Sequence, residues 1–153
     1  MGSGRGRAAA TGMLAETTGW LLADVARELI RRMEKALRAE GLRWREYGVL
    51  VVLEAAGPLS QQELGRRLAI DRSTMVHVID VLEDRGLVAR GRDRVDRRAY
   101  SIELTDLGRT LLADALRPVA DAVQEHVIAG LTGEDRAHLN RILAQLVECI
   151  DWA

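Results

Sequence analysis

Positions 92–98 of this 153-residue chain read R-D-R-V-D-R-R, which crowds Arg92, Arg94, Arg97 and Arg98 into one short stretch. Guanidinium groups make planar, forked hydrogen bonds to phosphate and suit narrow, electronegative minor grooves. Asp93 and Asp96 in the same run would repel phosphate unless each orients a neighbouring arginine. The pattern therefore reads either as a phosphate-facing tip or as a solvated hairpin of surface ion pairs. Positions 72–77 upstream favour the first reading. They read R-S-T-M-V-H, and a helix there turns Arg72, Ser73, Thr74, Val76 and His77 away from Met75. Val76 is able to meet a thymine methyl, His77 to donate to a base or phosphate, and Ser73 to touch a phosphate near the helix start.

Hydrophobic periodicity supplies the elements that would carry these groups. Ser60 stands three residues before Glu63, the spacing of a capping box, and Leu64 and Leu68 give a short helix one apolar face. Ala69 and Ile70 make a turn, and Asp71 is a good N-cap for the next helix. On that helix Met75, Val78, Ile79 and Leu82 form a core stripe, and Gly86 ends it as a left-handed cap. Strands follow over 88–92 and 99–104, with Tyr100, Ile102 and Leu104 alternating against Ala99, Ser101 and Glu103. Helix, tight turn, helix and hairpin in this order describe a winged helix-turn-helix. Such a device lays one helix in the major groove of double-stranded DNA with a β-hairpin beside it.

The flanks are helical. Trp20, Leu22, Val25, Leu29, Met33 and Leu37 recur at threes and fours in a long amphipathic helix ending near Gly41. A shorter helix over 44–56 points Leu50 and Leu53 inward and joins the two halves. Thr105 starts another helix with Leu107, Leu111, Leu112, Ala115 and Leu116, which Pro118 should kink or break before Val119, Val123 and Val127 extend it. Thr132 caps a last helix bearing Leu139, Ile142, Leu143, Leu146, Val147 and Ile150. One small protomer has too little remaining sequence to cover these terminal stripes. A two-fold homodimer would bury them, with recognition helices roughly 34 Å apart on a pseudo-palindromic site; ordinary packing within one chain is the alternative. The expected fold is mainly α with a small β-hairpin wing. Residues 1–12 form a flexible arm, and residues 13–153 form a single domain. Within it, 13–41 and 105–153 are dimerisation helices and 44–104 the winged helix-turn-helix.

Composition narrows the function classes. Nearly half the residues (48%) are hydrophobic and none is phenylalanine, so the core is aliphatic. The net charge of −1 hides an asymmetry: residues 60–100 carry nine arginines against seven acids, and residues 101–153 four against nine. That distribution suits a DNA reader whose other half faces elsewhere. The single cysteine, Cys149, excludes an internal disulfide and suits a cytoplasmic protein, and Glu148 and Asp151 beside it disfavour a reactive thiolate. No apolar run approaches the ~20 residues of a membrane span, and the start, MGSGRGRAAATG, has no hydrophobic signal region. His77, His126 and His138 fall on separate expected helices, and no HExxH, CxxC, GxSxG or glycine-rich phosphate loop is present. No catalytic residue, metal ligand or cofactor is expected, and an enzyme would leave the arginine hairpin unexplained.

The run D-R-S-T-M-V-H-V-I-D-V-L-E-D-R-G-L-V, followed by D-R-R-A-Y-S-I-E-L-T, resembles the MarR (multiple antibiotic resistance regulator) family. That family's recognition helix typically reads D-K-S-T-V-T-R-L-V-D-R-L-E-E-K-G-L-V, and its wing carries D-x-R before a strand ending in L-T. The similarity runs from about Ala15 to Trp152. It implies that Arg98 is the minor-groove arginine and that Asp96 braces it. It also implies a ligand site near the junction helix, where small aromatic acids or phenols often lodge. There Trp44, Tyr47 and Trp20 would give a stacking wall and Arg27 or Arg43 a carboxylate fork. His77 and Val81 stand where the family often has arginine, and Val76 where it often has threonine. These departures bear on which DNA sequence is read. The expectation is a sequence-specific DNA-binding regulator, a repressor released by a small aromatic or phenolic ligand. The alternative is a winged-helix regulator or protein-interaction module with no small-molecule effector.

Overall fold

The computed structural model describes residues 17–92 and 100–150. The arm over 1–12, Arg94, Asp96, Arg97, Arg98, Ala99 and Trp152 lie outside the described residues. The elements are α1 (Thr18–Leu37), a 3-10 turn (Arg38–Glu40), α2 (Trp44–Ala56), α3 (Gln61–Leu68), α4 (Arg72–Asp84), β1 (Val88–Arg92), β2 (Tyr100–Leu104), α5 (Asp106–Leu111), a π-turn (Leu112–Leu116), α6 (Arg117–Ile128) and α7 (Gly133–Cys149). The chain folds as the winged helix-turn-helix that its pattern implies, mainly helical with one antiparallel hairpin.

The stripe on α4 decides the packing. Met75, Val78, Ile79 and Leu82 are all buried against Val49, Leu50 and Leu53 of α2, Leu64 of α3 and Ile102 and Leu104 of β2. Burying each such side chain is worth ~1.5–3 kcal/mol. The start of α2 is held by two carboxylates: Glu46 accepts the Arg43 backbone N–H at 2.7 Å, and Glu34 of α1 accepts the Trp44 N–H at 3.2 Å. Both satisfy donors that a helix start leaves without intrahelical partners. Gly86 has φ +67° and ends α4 as the sequence requires.

Three expectations need correction. Ser60 Oγ accepts the Glu63 N–H at 3.1 Å, but the Glu63 carboxylate turns to Arg66 and Arg67, so only half of the capping box forms. Charge-assisted bonds outcompete a neutral backbone donor for the same oxygens. In β2, Tyr100 is exposed and Ser101 buried. Tyr100 shares a face with Ile102 and Leu104, as period two demands, yet the ribbon has already left the core at that pair, and Ser101 lies opposite Gly91. Finally, of the kink or break expected at Pro118, the break does not occur. Residues 106–128 stay helical because a π-turn, Leu112–Leu116, precedes the proline, which sits in the first turn of α6. A proline lacks the N–H that an unbroken α-ladder would use, and in the first turn after the π-turn that donor is not needed for a uniform ladder.

A third strand-like contact has no signature in the residue spacing. Leu59 pairs with Ile102 through two backbone hydrogen bonds of 3.1 and 2.8 Å, tying the loop before α3 to the wing root. The early turns of α1 and the whole of α7 are the opposite of the core. Val25 of α1 and Val147 of α7 are 55% and 57% exposed, and no residue of α7 is buried.

The first turn of α5 rests directly on backbone. Thr105 Oγ1 accepts the Gly108 N–H at 3.0 Å and donates to the Gly86 carbonyl at 2.6 Å. A Cβ on Gly108 would lie 2.1 Å from the Leu87 carbonyl oxygen. Gly108→Ala should therefore cost about 1–3 kcal/mol, the usual range for overpacking. Chemical denaturation checks this, and an unchanged midpoint would mean that α5 shifts freely off Leu87.

Candidate nucleic-acid interface and adjoining cleft

The recognition helix α4 begins at a side-chain cap. Asp71 Oδ1 accepts the Ser73 hydroxyl at 2.7 Å and the Thr74 N–H at 2.9 Å. These bonds, the Ser73 hydroxyl first, hold the Asp71 carboxyl far below its ordinary value of 3.8. The turn from α3 is tight. Ala69 adopts φ +50°, the Ile70 N–H donates to the Gly65 carbonyl at 2.9 Å, and a Cβ on Gly65 would lie 2.9 Å from the Ile70 carbonyl oxygen. Glycine at 65 thus lets α3 approach the start of α4.

With its core stripe buried, α4 leaves Arg72, Ser73, Val76 and His77 exposed in one row, while Thr74 is half-buried. Val76 is an apolar side chain (39% exposed) among polar ones, a surface that offers methyl contact beside hydrogen-bond donors. Arg92 ends β1, its backbone paired with Tyr100. The structure thus brings the α4 residues named from sequence onto one surface beside the root of the hairpin.

Two arginines that sequence reasoning passed over bind α4 to its neighbours. Arg85, at the C-terminal end of α4, donates to the carbonyls of Gly41 at 2.9 Å and Glu40 at 2.8 Å. It satisfies acceptors left open where the 3-10 turn ends. Arg90 of β1 binds Asp80 at 2.5 Å and also Glu83. Asp80 and Glu83 are one turn apart, so an i, i+3 acidic pair was the available signal, but its partner lies on another element.

A cleft of about 550 Å³ opens where α1, α2 and α4 meet, lined by residues that include Glu34, Arg43, Trp44, Thr74, His77 and Val81. Of the candidate ligand residues, it gathers Arg43 and Trp44. Tyr47 lies outside the lining, its ring 5.9 Å from that of Trp44 at 32°. Arg27 pairs with Asp24 at 2.5 Å on α1, and Trp20 stands partly exposed near the start of that helix. Neither lines the cleft. The cleft wall is thus shared between an arginine–tryptophan pair and a side of α4 that includes His77 of the exposed row.

Among the described residues, no cluster of three His, Cys, Asp or Glu side chains could hold a metal ion, and no helix is long and apolar enough to cross a membrane.

Comparison with known proteins gives one family. A sequence model described as MarR family matches residues 40–99. The chain is 37% identical over 116 residues to the HTH-type transcriptional regulator TtmR of Methylorubrum extorquens (strain PA1), a match covering 73% of this chain and 56% of that protein. The chain thus spans little more than half the length of that curated relative. It is 32% identical to a MarR family transcriptional regulator from Rhodococcus sp. RHA1, with a TM-score of 0.77 over 86% of this chain and 94% of the other. Similarity to the transcriptional repressor CouR bound to a 23-mer DNA duplex is 31% identity and TM-score 0.79, over 90% of this chain and 96% of that one. CouR from Rhodococcus jostii RHA1 bound to p-coumaroyl-CoA matches over the same shares, at 32% identity and TM-score 0.79.

Asp71 predicts a pH dependence. Its folded pKa is depressed, so its contribution to stability is fully present above its ordinary value of 3.8 and is lost as the pH falls through the lower folded value. Asp71→Ala should lower the melting temperature by a constant amount at neutral and mildly acidic pH. The gap to wild type should close only in strong acid. A gap that already closes between neutrality and pH ~5 would contradict the cap.

Proposed function

Because this chain belongs to the MarR family, we propose that it is a sequence-specific DNA-binding transcriptional repressor that acts as a homodimer and is released by a small aromatic or phenolic ligand. The observation that carries the reading is the exposed row Arg72, Ser73, Val76 and His77 on a helix whose other face is buried and whose start is capped. With Thr74 beside them, these residues read the major groove. The hairpin, with Arg92, Arg94, Arg97 and Arg98 and with Asp96 bracing Arg98, follows the backbone and minor groove. The similarity to CouR on its duplex supports this placement.

The exposed apolar side chains of Trp20, Leu21, Val25 and Ile30 at one end, and of Ile142, Leu146, Val147 and Ile150 at the other, support the dimer. In this reading 13–41 and 105–153 are the dimer half and 44–104 the DNA half. The protein is a cytoplasmic regulator and not an enzyme; the relatives it matches are transcription regulators. The effector enters the cleft between α1, α2 and α4. Trp44 stacks on its ring, Arg43 takes its anionic group, and its edge reaches Thr74 and His77. Tyr47 supports Trp44 from behind.

The test is selection of a duplex from a randomised pool by the full chain, followed by variants. Arg98→Ala should weaken binding by about 1–3 kcal/mol with dimerisation intact. His77→Ala should relax preference at one or two positions of each half-site, a change that repeated selection reads directly. If the wild-type chain enriches no duplex, the DNA-binding reading fails.

Ligand control has its own measurement. Calorimetry with salicylate, 4-hydroxybenzoate and p-coumarate, with and without duplex, should show weaker ligand binding on DNA by about 5–150-fold. Arg43→Ala should abolish the heat of binding. Equal affinity in both conditions would leave a pocket without control, and no binding at all would favour the regulator or interaction module that has no small-molecule effector.

A further inference from the structure

The hairpin has few means of holding an angle to α4. A two-stranded ribbon is marginally stable by itself; its buried apolar anchors, Val88, Ile102 and Leu104, lie at the root, and burial ends one pair further out at Ser101. Beyond Ile102 the ladder continues through Gly91–Ser101 and Arg92–Tyr100, where Tyr100 is exposed. Arg90 pairs with Ile102 in the ladder, at the last buried apolar side chain before the ribbon leaves the core. From there its guanidinium spans Asp80 and Glu83, and its backbone N–H donates to Glu83 Oε1 at 3.2 Å.

Resting on the DNA-binding reading above, we propose that Arg90 is a positioning residue: its fork across Asp80 and Glu83 sets the wing's angle to the recognition helix. The chemistry suits geometry better than stability. Partly exposed ion pairs add little to folding free energy. A planar fork held by two carboxylates and a backbone bond nevertheless restricts direction, and an ammonium on a flexible stem cannot span both acids in the same way. The arrangement also offsets one of the two negative charges of Asp80 and Glu83, whose carboxylates are 50% and 36% exposed.

Two effects of opposite sign separate positioning from simple charge. Neutralising Asp80 and Glu83 removes negative charge near DNA, so electrostatics alone calls for tighter binding. Positioning calls for the reverse, because Arg90 is set loose.

The experiment uses the full chain and a duplex that the wild type has selected from a randomised pool. Arg90→Gln should bind about tenfold more weakly, a difference of about 1.4 kcal/mol. Hydroxyl-radical footprinting should show minor-groove protection under the wings fading while methylation protection in the major groove persists. Arg90→Lys should restore part of the loss. The double variant Asp80→Asn/Glu83→Gln should reproduce the faded wing footprint and bind more weakly than wild type. It carries the test alone if Arg90→Gln fails to fold. An unchanged wing footprint in the folded variants, or tighter binding by the double variant with protection intact, overturns the proposal. A wild-type chain that selects no duplex overturns the DNA-binding reading itself.

Discussion

The rest of the structure depends on α4 being half inside and half outside. Met75, Val78, Ile79 and Leu82 drive one face into an aliphatic core shared with α2, α3 and β2, and that packing places Arg72, Ser73, Val76 and His77 in solvent. Truncating a buried leucine or isoleucine of this kind to alanine typically costs 2–5 kcal/mol, more than any hydrogen bond on the exposed side returns. The exposed face is therefore positioned from behind, by volume and shape. With no phenylalanine available, the core relies on leucine, isoleucine, valine and methionine.

A near-neutral chain can leave positive charge on one surface because its charges are sorted. Glu28 takes Arg31 and Arg32, Glu63 takes Arg66 and Arg67, Glu54 takes Arg117 and Glu125 takes Arg136. The carboxyls of Glu28 and Glu63 fall to about 2 through hydrogen bonds from their arginines, so they stay ionised across any physiological range. Among the described residues, Arg72 makes no ion pair. It is the cation at the first position of α4, on the same side as the exposed row. Pairing elsewhere thus leaves positive charge where α4 begins without making the whole chain basic.

What could be read from the sequence was local. The α4 stripe, the caps at Ser60, Asp71, Thr105 and Thr132, and the turn at Gly86 each depend on residues within one or two helical turns. The Leu59–Ile102 bridge, the Arg85 bonds to residues 40 and 41, and the Glu34 bond to Trp44 join positions far apart in the chain. Periodicity carries no information about such pairs. The cleft divides the same way. Arg43 and Trp44 were legible as a charge and an aromatic ring at the start of the junction helix. Placing Trp20 and Arg27 with them required knowing how α1 passes α2, which no spacing within α1 encodes. Tyr100 was misjudged because alternation reports which face a side chain takes and not how far the core extends beneath it.

The π-turn at Leu112–Leu116 has a bearing on phase. Leu112, Leu116 and Ala120 are spaced by fours and all three are buried. In a uniform α-helix each step of four residues drifts by about 40°. A wider turn takes more residues per revolution and subtracts from that drift, so the run can keep facing inward. The segment therefore works as a vernier between the two ends of the chain. Removing one residue there would restore an ordinary α-turn that closes the same revolution with one residue fewer, so the faces of α6 and α7 would hardly rotate. In a uniformly α-helical stretch the same deletion would turn everything downstream by about 100°. The π-turn is thus the one place in this run where the chain can lose a residue without turning the C-terminal helices relative to α4.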